Sequence, residues 1–583
     1  MTVDPAQPSK IRTQLVSFVI GAFQSLDSGL VRKECAPLVG ISIWQNLHSD
    51  AVREKYFEEH QMLRKAWRAT SKRFDSGDDA LQARLRFERT WLYTLILDFI
   101  NRLYNSTTKE EIKDNLAYCE RFMELLTDLE SQLPTRRYVN TLIKDLNLLA
   151  AIKLSPTYTD EDNGLFRDLY TLLDHFANFP IEDQTGKQLS KLEYDQQHYD
   201  LLAKLQRTGY AAFQEKLQLM ALANYGSIGN REELDGHLKV LSDDELTQLC
   251  SLMELRTWYP ISTFLVRDRA FHMEALLALV EQRPTFKDTV RDMPILPTEK
   301  ILYETTFLRN ESYNGSRPLA IPKLNLQYLT MGDFLWRSFI LYRAEALYGI
   351  RKDMEDVVKK VKPRGKGVSL QFGGVSKMAL PIMKPAVVDV APPQVGEEQP
   401  AYVRAEIILD VSRLQYGVRR EWEQLKTDDV VFLVAIEGQD DVPMRNGNHA
   451  EQNAGEQPGL HRLRCAQVVQ MLDENGRPLR EQANADGFAP RARQRRLLVN
   501  IDAKQYKHDM DNTAEGRPNV YEHITHIVRR RGRENNFLPI LESIKRLTLS
   551  DIPAPSWLQE VFLGYGDPAS ASYQRLHNKL HSI

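Results

Sequence analysis

Two arginine clusters are the residues best suited to recognise a charged ligand. The first is Arg491, Arg493, Arg495 and Arg496, with Arg477 and Arg480 upstream; the second is Arg529, Arg530, Arg531 and Arg533. A guanidinium offers a phosphate a planar fork of donors, and clustered guanidiniums release counterions when RNA binds. These eight clustered arginines are the candidate RNA-binding residues. The same spacing also fits a solvated loop, a bridge to acidic neighbours or a nuclear-import signal. Tyr506 and Tyr521 are candidates for stacking on unpaired bases.

No other pattern points to catalysis. Nucleotide hydrolysis by a helicase motor needs a GxxxxGK[ST] loop, whose backbone N–H groups and lysine hold the phosphates. The sequence has none: Gly186-Lys187 is followed by Gln188, without a glycine at the required earlier position. Asp243-Asp244-Glu245 resembles an acidic magnesium box, but no apolar strand precedes it. It reads as a charge cluster at a helix N-terminus. His577 and His581 have i,i+4 spacing without a third ligand nearby, and His523 and His526 lack zinc-protease spacing. There is no Gly-x-Ser-x-Gly elbow. We expect no catalytic, metal-binding or cofactor-binding residue in this chain.

The 583 residues leave room for two to four domains. With 42% hydrophobic and 27% charged residues the composition is that of a globular protein. The net charge of −3 means that any contact with nucleic acid must come from local basic patches. Cys35, Cys119, Cys250 and Cys465 lie far apart, without CxxC spacing, and read as isolated buried thiols suited to a reducing compartment. The N-terminus lacks the layout of a secretory signal, and the longest apolar run, Val430 to Ile436, is far short of a membrane span. These features predict a soluble, intracellular protein with no membrane partner.

The elements that must position the arginines change character along the chain. Up to about Met293 the pattern is helical. Phe87, Trp91, Leu92, Leu95, Ile96, Phe99, Ile100 and Leu103 form a wide apolar face suited to packing on two neighbours, as in stacked helical arrays. Phe122, Leu125, Leu126, Leu129 and Leu133 repeat the pattern, with Pro134 expected to end it. Further helices are expected around Asp168 to Ala177, Tyr199 to Leu222, Asp243 to Glu254 and Phe271 to Glu281. Residues 319–329 read as extended, and Thr330 with Asp333 as a capping box for a long helix. Its expected stripe is Leu335, Phe339, Tyr342, Ala346, Ile350, Met354 and Val357, and a helix there can hold two domains together. Lys359 to Gly374 reads as a basic linker. Strands follow: Val403 to Val411 alternates, Val430 to Ile436 is apolar throughout, and Cys465 to Leu472 and Leu497 to Ile501 flank an Asn475-Gly476 turn. Gly438 to Gly459 is a polar loop. After Asn536 the pattern is again helical, with Leu541, Ile544 and Leu547 as its stripe.

Several colinear blocks resemble the Aquarius family of intron-binding spliceosomal RNA helicases: YCERFMELLTDLESQLPTRR from Tyr118, PTEKILYE from Pro297, LAIPKLNLQYLTMGDFLWRSF from Leu319, EIILDVSRLQYGVRREWEQLKTDDVVFLV from Glu406, VYEHITHIVRRRGRENNF from Val520 and LGYGDPASASY from Leu563. The resemblance implies a multidomain α plus β fold: an N-terminal armadillo-like helical array (1–293), a helical stalk (294–360), a mainly β barrel-like domain (361–537) and a helical connector (538–583) toward a helicase motor that the family carries beyond this chain. The array is N-terminally shorter than the family's. ATP and magnesium are implied only for that motor. The implied role is a non-catalytic scaffold that docks into the spliceosome and supports intron RNA binding in the nucleus. The implied partners are a helical-repeat splicing factor, a cyclophilin-type isomerase, intron pre-mRNA and small nuclear ribonucleoprotein components. Two alternatives stay open: part of an active ATP-dependent RNA helicase whose motor follows residue 583, or a generic helical interaction scaffold.

Overall fold

The computed structural model describes residues 9–26, 28–104, 109–303, 315, 317–365, 369–383, 385–438, 459–479, 493–530 and 537–550. Two compact units emerge: a helical one, from residues up to Arg291 together with Tyr313–Ser338, and a mainly β one from Asp292–Ser312 and Phe339–Leu547.

The helical unit is an array of helices packed over apolar cores. Its long helix Asp79–Tyr104 buries Trp91, Leu92, Leu95, Ile96, Phe99, Ile100 and Leu103, the wide face expected from their spacing. That face packs with Phe122, Leu125 and Leu126 of Lys109–Glu130 in the first core. Pro134 does not end this helix, contrary to expectation. The helix stops at Glu130, and Pro134 sits in the first turn of Leu133–Asp145, where its missing N–H leaves no orphaned bond. The second core gathers Leu202, Leu217, Leu234, Leu246 and Leu276. Helix Lys191–Leu222 breaks at Phe213 (φ −139°, ψ 49°) and folds back on itself. Gly209 permits the close approach, since a Cβ there would lie 2.8 Å from Met220. Asp243-Asp244-Glu245 opens helix Asp243–Leu252, and Ser242 and Glu245 complete a capping box.

The stretch 317–330 lies along helix Lys109–Glu130. Glu120, Glu124 and Asp128, at four-residue steps, form one buried acidic stripe. Arg317 Nε donates to Glu120 at 2.9 Å, and Lys323 Nζ reaches Glu124 at 2.7 Å and Asp128 at 2.8 Å. Helix Met331–Val361 then begins. The Asp333 N–H donates to Thr330 Oγ1 at 3.2 Å, as a capping box requires. The Asp333 carboxylate, shorter than glutamate, accepts from the N–H of Leu329 at 2.9 Å. The buried set of this helix differs from its apolar stripe: Trp336, Phe339, Leu347, Ile350, Met354, Val357 and Val361 are buried, together with Arg337, Arg343 and Arg351.

In the second unit seven antiparallel strands follow a short ribbon. The ribbon is β1 (Pro363–Arg364) with β2 (Gln371–Phe372), which replaces part of the expected linker. The strands are β3 (Ala379–Pro381), β4 (Ala386–Val390), β5 (Val403–Asp410), β6 (Val430–Ile436), β7 (Leu460–Leu472), β8 (Gln494–Ile501) and β9 (His526–Arg529). Their order is β3-β9-β6-β7-β8-β5-β4, and the sheet curls until β3 lies beside β5. β5 alternates buried and solvent-facing residues as its sequence predicts, and β6 is buried throughout. Gly476 has the positive φ (76°) that its turn needs. Helices Tyr416–Glu423 and Ala503–Ala514 and strand β9 were not expected from the sequence pattern. Helix Phe537–Leu549 forms with Leu541 buried and Leu547 exposed. All four cysteines are buried and unpaired by disulfides. No described helix is long and apolar enough to cross a membrane. Most of the polar loop at 438–459, and His577 and His581, lie outside the described residues.

Candidate nucleic-acid interface

Strand β8 sends Arg495 and Arg496 to opposite faces of the sheet. Arg495 Nη2 donates to Glu423 at 2.8 Å, on helix Tyr416–Glu423. Arg496 forks onto Glu406 of the neighbouring β5, Nε to Oε1 at 2.6 Å and Nη2 to Oε2 at 2.7 Å. The register pairs Ile408 with Arg496, so Glu406 sits at the diagonal same-face position. Arg493 precedes the strand and is exposed, as is Arg477 in the preceding turn. The backbone N–H of Arg493 donates to Glu474 at 2.6 Å, which fixes the entry to β8. Arg480 and Arg491 lie outside the described residues.

The second cluster has a different setting. Arg529 ends β9, an interior strand between β3 and β6. Its guanidinium lies 5.6 Å from the Trp422 ring and donates to Glu421. Arg530 Nε reaches Asp353 at 3.3 Å, and the guanidinium lies 5.9 Å from the Phe537 ring. Both arginines are only 6% exposed. Arg531 and Arg533 lie outside the described residues. Tyr506 and Tyr521 pack against each other at 5.4 Å beside the barrel core, with Tyr521 buried.

Sequence reading did not find the ion triad in this unit, built on the buried Arg464. Arg464 on β7 clasps Asp509 with two bonds, Nε at 2.6 Å and Nη2 at 2.8 Å, and gives Nη1 to Glu299 at 2.7 Å. Burial alone would depress the arginine's pKa, but the two carboxylates outweigh it and raise it above the ordinary value. The one available signal was Arg464 alternating with the apolar residues of a strand.

His526 shows why a histidine near an arginine run need not be a ligand. Its ring stands edge-on to Phe372 at 4.5 Å and is buried. Burial pushes its pKa down to about 4, so the folded ring stays neutral. Among the described residues no group of three or more His, Cys, Asp or Glu is placed to hold a metal ion. In the unfolded chain the ring takes a proton near pH 6.5. Stability therefore falls as pH drops from about 6.5 toward 4, by about 3 kcal/mol at about 1.4 kcal/mol per pH unit. His526→Leu is expected to flatten this part of the profile, seen in urea midpoints at pH 7 and pH 4.5. An unchanged slope would show that other groups carry it.

Fold and side-chain geometry define a helical array followed by a curled antiparallel β unit whose interior charges are tied in ion pairs. Residues 1–284 match the family model described as the N-terminal part of intron-binding protein aquarius, and residues 360–530 match the one described as its beta-barrel. The chain belongs to the Aquarius family, over that family's N-terminal region. It is 36% identical over 580 residues to the RNA helicase aquarius of Mus musculus, covering 98% of this chain and 38% of the mouse protein. It is 21% identical over 491 residues to the pre-mRNA-splicing factor cwf11 of Schizosaccharomyces pombe, covering 82% of this chain and 35% of that protein. The chain thus spans little more than a third of each relative.

Proposed function

We propose that this chain is a non-catalytic scaffold in nuclear pre-mRNA splicing. Its helical unit docks onto spliceosomal proteins and its β unit supports binding of intron RNA. The observation that carries this reading is the colinear match of nearly the whole chain to an RNA helicase of the family, reinforced by a second relative named as a splicing factor. A helical array offers the extended surfaces that partner docking needs; the partners in this reading are a helical-repeat splicing factor and a cyclophilin-type isomerase. On the β unit, Arg493 and Arg477 are exposed members of the first cluster among the described residues. Arg495 and Arg496 exchange a carboxylate for a phosphate only by breaking an ion pair, and so contribute less.

Deleting residues 1–290 is expected to reduce recovery of splicing factors from nuclear extract by about tenfold, the factor for 1.4 kcal/mol of lost binding energy. Undiminished recovery would remove the docking role. A second reading is that these residues serve an ATP-driven RNA helicase. It is supported by the chain's coverage of only 38% of the mouse relative. Peptides extending past Ile583 into a phosphate-binding loop, read in the same purification, would establish it.

A further inference from the structure

A polar cleft of about 410 Å³ opens on the β unit, and none of the described residues of either arginine cluster lines it. Strand β7, helix Ala503–Ala514, the turn at 517–523 and the short helix Glu299–Leu302 form its walls. Arg464 forms its floor and is neutralised by Asp509 and Glu299. Glu299 also lies 3.6 Å from Arg462. Four cations and three carboxylates line the cleft, so it keeps a net positive charge of one with its histidines neutral (4 − 3).

The rim is what distinguishes this cleft from a structural ion-pair network. Lys300, Arg517, His508 and His523 are all exposed. Among the described residues, none forms an ion pair or side-chain hydrogen bond with any of these four side chains. Two cations and two imidazoles thus converge on one opening without being consumed by the fold. The volume suits a group the size of one nucleotide. Cations suit phosphates, and flat imidazole rings suit the faces of unpaired bases. An acidic protein segment would use the cations but leave the flat rings without partners.

We propose that this cleft holds single-stranded RNA, with Lys300 and Arg517 on backbone phosphates and His508 and His523 against the bases. The proposal rests on the preceding reading that the β unit handles RNA, and it adds a site separate from Arg493. The test is fluorescence anisotropy of a labelled oligouridine with the full 583-residue chain across a salt series. Lys300→Ala with Arg517→Ala is expected to weaken binding about tenfold or more and to flatten the log–log salt slope by about 1.4, at about 0.7 per phosphate contact on a single strand. Arg493→Ala serves as the comparison at the other location. Without any variant, RNA is expected to protect His508 and His523 from diethyl pyrocarbonate, read by mass spectrometry.

If the double variant binds as the parent does, or if neither histidine is protected, the cleft is not the site and RNA contact at Arg493 stands or falls by its own variant. Displacement of RNA by polyglutamate as effectively as by unlabelled RNA would overturn the proposal in favour of an acidic protein segment. If the parent chain recovers splicing factors but binds no RNA, the docking role survives and both RNA assignments fall.

Discussion

Replacing Arg337 with alanine is expected to destabilise the helical unit by about 3–5 kcal/mol, the scale seen when one partner of a buried ion pair is removed. Arg337 and Asp333 are both fully buried. The guanidinium gives Nε to Asp333 Oδ1 at 2.8 Å and Nη2 to Oδ2 at 2.6 Å. Its remaining donors reach the Lys323 carbonyl at 2.9 Å and the Ser131 carbonyl at 2.8 Å. Truncation therefore orphans two carbonyls and a carboxylate at once. Burial already raises the Asp333 pKa against the pull of Arg337, so the carboxylate left behind would be charged at high cost or protonated. Lysine should rescue poorly, because one ammonium cannot reproduce the fork. Adding Asp333→Asn to Arg337→Ala should restore about half of the loss: the uncompensated charge goes, while an amide oxygen can still accept from Leu329. Urea midpoints give the magnitude, and hydrogen exchange over residues 109–130 and 317–338 locates it. If Asp333→Asn gives no recovery, the loss is one of packing rather than charge.

This cluster also marks how far sequence reasoning reaches. The apolar periodicity of Phe87 to Leu103, the alternation of β5 and the unbroken apolar run of β6 all predict the element found, because each pattern repeats within a few residues. The start of helix Met331–Val361 was legible for the same reason, since Thr330 and Asp333 cap it locally. Arg337, Arg343 and Arg351 look like the solvent face of that helix by type, yet they are buried. Their burial depends on partners distant in sequence: Arg337 meets the Ser131 carbonyl, and Arg343 Nε meets the Pro294 carbonyl at 2.7 Å.

The arginine clusters follow the same logic. Residue type alone places Arg529 and Arg530 with Arg531 and Arg533 in one basic run. The strand that Arg529 ends could not be separated from that run, because β9 has only four residues and carries a histidine. Its acidic partner Glu421 lies 108 positions away, and Asp353 lies 177 positions from Arg530. The cleft was illegible for a related reason: Lys300, His508 and Arg517 come from separate segments that only the fold assembles.

Arg464→Ala should have a comparable effect on the β unit, a loss of about 3–5 kcal/mol. Arg464 is 4% exposed and Asp509 3% exposed, so solvent screens neither charge. One guanidinium here joins three parts of the chain: β7, helix Ala503–Ala514 through Asp509, and helix Glu299–Leu302 through Glu299. Glu299 also accepts from the Leu463 N–H at 3.1 Å, so the short helix is held to the strand at two points. After truncation, Asp509 keeps the weaker neutral bond from Gln505 Nε2 at 3.1 Å. Asp509→Asn added to Arg464→Ala should recover part of the stability, and hydrogen exchange should rise in both 298–303 and 503–514. Equal protection in those segments would mean that apolar contacts, and not this ion triad, fasten them to the barrel. Because Arg464 is the floor of the cleft, its loss should also weaken RNA binding. Lys300→Ala with Arg517→Ala should weaken binding without moving the urea midpoint, and this contrast separates a residue that builds the site from residues that occupy its rim.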